Sequence, residues 1–113
     1  MLIKKENSKK KQKVNSCVVW EYPFTSKNLG IATALIDGRY PEKGKALNSE
    51  SDLVYFVISG NGVIHNDEGS FEVEAGDTFF FNAKKWYWVE GKKLFIVLPT
   101  SPAWTVEQYR AIE

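Results

Sequence analysis

Between residues 53 and 89 the chain alternates short apolar runs with turn residues. Residues 53–58 are apolar throughout. Ser59-Gly60-Asn61-Gly62 follows, a group that accepts the positive φ of tight hairpins. Residues 63–65 form a short β-prone run ending at Asn66-Asp67-Glu68-Gly69, a second hairpin signal. Phe71-Glu72-Val73-Glu74 alternates apolar and charged side chains, which predicts a strand with one buried face and one wet face. Ala75-Gly76-Asp77 turns the chain into Thr78-Phe79-Phe80-Phe81, and Trp86-Tyr87-Trp88-Val89 again reads as strand. Upstream, residues 17–22 predict a strand stopped by Pro23, and residues 30–36 another ended by Asp37-Gly38. Downstream, residues 92–98 predict a closing strand that Pro99 and Pro102 break. Thr105, with Gln108 three residues on, has the spacing of a capping box and predicts a short terminal helix to Ile112. Runs this short with turns this frequent predict an all-β antiparallel sandwich or small barrel.

Composition narrows the picture. A chain of 113 residues holds one domain and a core that needs neither disulfide nor structural metal. A net charge of +1 gives no global field toward nucleic acid or an anionic membrane. No apolar run has the length of a bilayer span. The single cysteine, Cys17, excludes an internal disulfide; with no signal peptide in view, a reducing cytoplasm is the expected compartment. Cys17 has no histidine partner in any recognisable pattern and reads as a small buried side chain.

Residues 1–16 stand apart from the domain of residues 17–113. Six lysines there face only Glu6 as counter-charge. The arm reads either as a basic segment for an acidic partner or as a solvated terminus in which Leu2-Ile3 adds an edge strand. No aromatics are interleaved to stack bases, so nucleic acid is not expected.

The stretch from Tyr55 through the Gly60-Asn61-Gly62 group to Gly76-Asp77 and Trp88 resembles the conserved barrel of the cupin superfamily, over roughly residues 38–109. The resemblance implies a double-stranded β-helix, that is, a jelly-roll barrel. Cupins carry two motifs, G-x5-H-x-H-x4-E-x6-G and G-x5-P-x-G-x2-H-x3-N. Here the last glycine of the first aligns with Gly60 and the first glycine of the second with Gly76. The resemblance also implies a metal held by three histidines and a carboxylate, and at that point the chain departs from it. The ligand positions fall on Ala46, Asn48, Leu53 and Tyr87, and the second motif's Pro and Gly on Asn82 and Lys84. Alanine and leucine offer no lone pair, and asparagine and neutral tyrosine are poor ligands for transition metals. Neither a metal nor another cofactor is therefore expected. Glu50, Asp52 and His65 are the remaining donors. A lone carboxylate suits only a hard cation that wants several oxygens, and His65, the one histidine, sits at a hairpin tip and is expected on the surface.

With the metal positions pointing inward as in cupins, the resemblance implies a cavity lined by Ala46, Asn48, Leu53, Tyr55, Val57 and Tyr87. Such a lining suits a small organic ligand, sugar-like or carboxylate-like, better than an ion; it could equally be a filled core. The loop from Arg39 and Tyr40 to Gly44 would lie near the barrel mouth. There Arg39 could hold a carboxylate or phosphate with its planar fork, or pair with Glu42 or another surface acid. Three functions stay open. The first is a metal-independent cupin binding a small molecule through Arg39, Tyr40, Asn48, Leu53, Tyr55, Val57 and Tyr87. The second is a small isomerase-, epimerase- or dioxygenase-like enzyme, metal-free or with an unusual metal site. The third is a non-catalytic interaction module. Trp86 and Trp88, on the opposite side of their strand from Tyr87, must pack against something, which predicts a homodimer.

Overall fold

A computed structural model describes the whole chain, Met1–Glu113. It is almost entirely antiparallel strand: β1 (Lys9–Val14), β2 (Cys17–Tyr22), β3 (Gly30–Tyr40), β4 (Lys45–Asn48), β5 (Asp52–Asn66), β6 (Gly69–Glu74), β7 (Thr78–Phe81), β8 (Tyr87–Ser101) and β9 (Tyr109–Ile112). β8 is the spine, with β3 along one edge and β5 along the other. From β3 the sheet continues outward through β2 to β1. β5 pairs with β7 in its first half and with β6 in its second. β4 joins the start of β8 through Ala46 and Tyr87 and carries β9 on its other side. This curled sheet closes over one apolar core, in which Ile36, Val57, Ile64, Leu94 and Ile96 are almost wholly enclosed. No helix of this chain is long and apolar enough to cross a membrane.

The predicted turns at Asn66–Gly69 and Ala75–Asp77 are present. In the first, Asn66 Oδ1 accepts the Glu68 amide; in the second, Asp77 Oδ2 accepts the Glu74 amide. Four expectations need correction. Ser59–Gly62 is not a hairpin, because β5 runs straight through it. The residues instead make two register shifts against β8, between Val57 and Ser59 and between Ser59 and Asn61. Gly60 has φ +76°, and a Cβ there would run into the Lys93 carbonyl, so glycine serves a bulge that bends a long strand. Pro99 does not end β8, since its φ suits an extended chain and only one donor is lost. The helix from Thr105 does not form: Thr105 makes no side-chain cap, one 3-10 turn spans Val106–Gln108, and β9 takes the free edge of β4. Finally, the N-terminal arm is no detached tail. Lys9–Val14, rather than Leu2-Ile3, pairs along β2 as the edge strand.

Candidate ligand-binding cavity

The inner sides of β2 and β3 carry small residues. Cys17 and Val19 on β2 and Ala32 and Ala34 on β3 are buried, yet too short to meet the opposite wall. The space they leave is a partly open cavity of about 240 Å³. All five tyrosines of the chain line it: Tyr22, Tyr40, Tyr55, Tyr87 and Tyr109. Such a wall is apolar in its rings and polar in its tips.

Strand parity explains the inner tyrosines. Leu53, Tyr55 and Val57 alternate on β5 and Tyr87 and Val89 on β8, all turned inward. Tyr55 and Tyr87 flank the Phe81 ring at centroid distances of 4.5 and 4.7 Å, which fixes their planes. The Tyr55 hydroxyl and the Asn48 amide lie beside the Tyr87 hydroxyl, and the Tyr40 hydroxyl lies beside Tyr109. Asn48 Oδ1 accepts Trp104 Nε1–H at 2.8 Å, which sets the amide orientation. Burial pushes the Tyr40, Tyr55 and Tyr87 hydroxyls well above the ordinary phenol range, and neighbouring phenols add to the rise. Burial likewise pushes the Cys17 thiol up to about 12, against a smaller opposing pull from Lys13. At neutral pH the interior therefore offers neutral hydrogen-bond donors and no thiolate nucleophile.

One polar atom in the wall is unmatched. Thr100 Oγ1 lies on the inner side of β8, in a residue only 7% exposed, and is the one buried side-chain oxygen or nitrogen with no hydrogen-bond partner. At the open end stand the only charged groups of the lining, Lys9 and Lys13 from β1 and Glu21 from β2.

Of the residues expected from sequence, Tyr40, Asn48, Leu53, Tyr55 and Tyr87 come together in this wall. Val57 and Ala46 are enclosed in the core and do not reach the cavity. Arg39 is also outside it. Its neighbour Tyr40 points in, so Arg39 points out, donating to the Pro41 and Gly44 carbonyls at 2.7 and 2.9 Å. Its guanidinium lies 4.2 Å from the centre of the Trp88 ring. Sequence reasoning missed Lys9, Lys13, Glu21, Thr100, Trp104 and Tyr109. The parity of β2 carried a signal for Glu21, since it follows Cys17 and Val19 by twos. Thr100 carried none, lying beyond a proline expected to end the strand.

The metal positions do not fit a metal. Ala46, Asn48, Leu53 and Tyr87 supply no set of anionic or imidazole donors, and nowhere do three His, Cys, Asp or Glu side chains converge in a way that could hold an ion. His65 is on β5 rather than at a hairpin tip, away from the cavity and only part-exposed. It is stacked 3.7 Å over Trp88, with Nδ1 2.7 Å from Ser70 Oγ and Nε2 2.8 Å from Glu90 Oε2.

No family model and no curated protein sequence matches this chain. Among solved structures it is similar to Streptomyces Pac13, described as a unique nucleoside dehydratase: TM-score 0.89, 18% identity, covering 100% of this chain and 91% of that one. Pac13 is also solved with uridine in variants of two tyrosines and one histidine. KdgF from Halomonas sp. is similar at TM-score 0.77 and 10% identity, with 92% of this chain and 96% of that chain covered. Ectoine synthase from P. lautus is similar at TM-score 0.76 and 12% identity, with 100% and 91% covered. These neighbours are cupin barrels, and this chain has the cupin fold.

Proposed function

We propose that the protein binds a small organic molecule in the tyrosine-lined cavity without a metal, and that the ligand belongs to the nucleoside class. The observation that carries this is the cavity itself: phenol, amide, indole and threonine groups around a space of about 240 Å³, with Thr100 Oγ1 still lacking a partner. That volume is near the lower end of small-molecule sites, roughly 300–1,000 Å³. It suits one flat ring with a sugar: rings for the base to lie against, hydroxyl and amide groups for the sugar oxygens. The uridine complexes of Pac13 support the choice of class.

We assign binding rather than the dehydration attributed to Pac13. No imidazole lines this cavity, its phenols are held protonated, and its one carboxylate, Glu21, is paired with Lys11 and Lys13, so no free base for proton abstraction faces the ligand space. The test is calorimetric titration with uridine and with ribose, on the protein and on Tyr87→Phe and Asn48→Ala. Uridine should bind more tightly than ribose. Loss of one hydrogen bond, worth about 1 kcal/mol, should weaken uridine about fivefold in Tyr87→Phe. Uridine binding that neither substitution disturbs would place the ligand elsewhere and end this reading.

A further inference from the structure

β1 gives the cavity a second chemistry. Its backbone pairs with β2, and in an antiparallel ladder alternate side chains share a face. Lys9 and Lys11 thus stand on the same side as Glu21 and Val19 of β2, and Lys13, in the register shift between Gln12 and Val14, also reaches the cavity. Lys11 is held by Glu21 at 2.9 Å; Lys13 is farther from the same carboxylate, at 3.8 Å. Lys9 has no ion pair. Lys11 and Lys13 therefore share one carboxylate while Lys9 has none, and Lys9 and Lys13 are part of the cavity wall. Lys13 is also half-buried, its Nζ 4.8 Å from the centre of the Trp104 ring. From there Trp104 donates to Asn48, and Tyr87 and Tyr55 lie beyond it in the same wall. Thr100 borders the same space, but its unpartnered Oγ1 is enclosed against Gly30.

We propose that Lys9 and Lys13 form an anion-recognition end of the cavity, so that its ligand carries a phosphate or carboxylate group at the rim while its hydroxyl-bearing body reaches Asn48 and Tyr87. This rests on the reading of the cavity as a ligand site and names the class of ligand further. The excess positive charge sits against a low-dielectric wall, where its field is least screened. An ammonium without a full counter-charge gains most from an incoming anion.

The experiment compares uridine, uridine 5′-monophosphate, uridine 5′-carboxylate and inorganic phosphate by calorimetry, at low and high salt. It uses the native chain, Lys9→Gln, and the Lys9→Gln/Lys13→Gln pair. Lys9 is exposed and unpaired, so Lys9→Gln should fold normally, as its melting curve will show. At least one anionic uridine should bind about tenfold or more tightly than uridine, as expected for hydrogen bonds to a charged group. That advantage should shrink in salt, fall in Lys9→Gln and vanish in the pair, while uridine itself is little changed. The monophosphate and carboxylate arms separate the two anions. Uridine binding as well as both anionic forms overturns the anion end and leaves the nucleoside cavity standing. Phosphate bound through the lysines, with uridine unbound and Tyr87→Phe without effect, keeps the anion end and removes the nucleoside reading. Failure of every probe overturns both.

Discussion

At the scale of single residues, Thr100 and the buried acids make the sharpest statements. A buried hydroxyl without a partner costs about 1–3 kcal/mol in the free protein. Thr100→Val keeps the shape and removes that cost, so urea denaturation should show the variant more stable by about 1 kcal/mol. A less stable variant would mean that the hydroxyl is satisfied in solution. The acids set a pH limit. Cys17 is raised from its ordinary 9.0 to about 12, chiefly by burial, so between those values the folded state holds a proton that the unfolded chain has released. Its contribution is complete below pH 9.0 and is lost as pH rises toward 12. Tyr40, Tyr55 and Tyr87 add the same sign above their ordinary 10.0. The melting temperature should fall from about pH 9 upward, more steeply above 10, and the absorbance change of these three phenols should coincide with unfolding. Phenols that titrate in the folded protein near their ordinary value would contradict the enclosed geometry. These residues were only half legible beforehand. Parity along β5 and β8 identified Tyr55 and Tyr87, because alternation is local; Thr100 and Lys13 depend on which strands become neighbours.

At the scale of elements, the C-terminal segment shows a local signal losing to a tertiary one. Thr105 and Gln108 have capping-box spacing, but Gln108 is enclosed and committed elsewhere. Its Oε1 accepts the Glu50 and Ser51 amides at 3.2 and 2.7 Å, and its Nε2 donates to Ser51 Oγ at 2.9 Å. Ser51 Oγ in turn donates to the Pro102 carbonyl at 2.8 Å. A helix would have turned this amide away and left four β4 residues with an open edge. Gln108→Leu strands the Glu50 and Ser51 donors and should cost about 3 kcal/mol, read as a lower urea midpoint at unchanged slope. A change under 1 kcal/mol would show that this knot of bonds does not hold β9 in place. β1 differs in kind. Its lysines are hydrophilic enough to be solvated alone, so only the β2 backbone shows that it is a strand.

At the scale of the whole molecule, the apolar part of the outer surface is not at the tryptophans where the sequence reading put it. Trp86 and Trp88 do not call for a partner, since Lys45 Nζ lies 3.9 Å over Trp86 and Arg39 and His65 cover Trp88. The apolar outer surface is elsewhere. Phe56, Val97, Thr33 and Trp20 pair in one row across β5, β8, β3 and β2, with Phe80, Ile58, Phe95 and Leu35 on the same outer side. Phe56, Ile58 and Phe80 are the exposed part. We propose that the chain forms an isologous homodimer through this face, which carries little charge to suit an ionic partner. Phe56→Glu with Phe80→Glu should yield a monomer by analytical ultracentrifugation with the melting curve kept. A native chain that sediments as a monomer removes the proposal.

By itself the sequence determined the strands around residues 17–22, 30–36, 71–74 and 78–81, the Asn66–Gly69 and Ala75–Asp77 turns, the all-β class and the lack of donors at the cupin metal positions. Each rests on residues within a few positions of one another, or on side chains that lack donors wherever they are placed. Tertiary structure alone decided that β8 would run past Pro99, that the C-terminus would be a strand, and that the basic arm would wall a cavity. Each of these depends on which backbone edge is left unpaired once β3, β4, β5 and β8 have come together, and no local pattern encodes an edge.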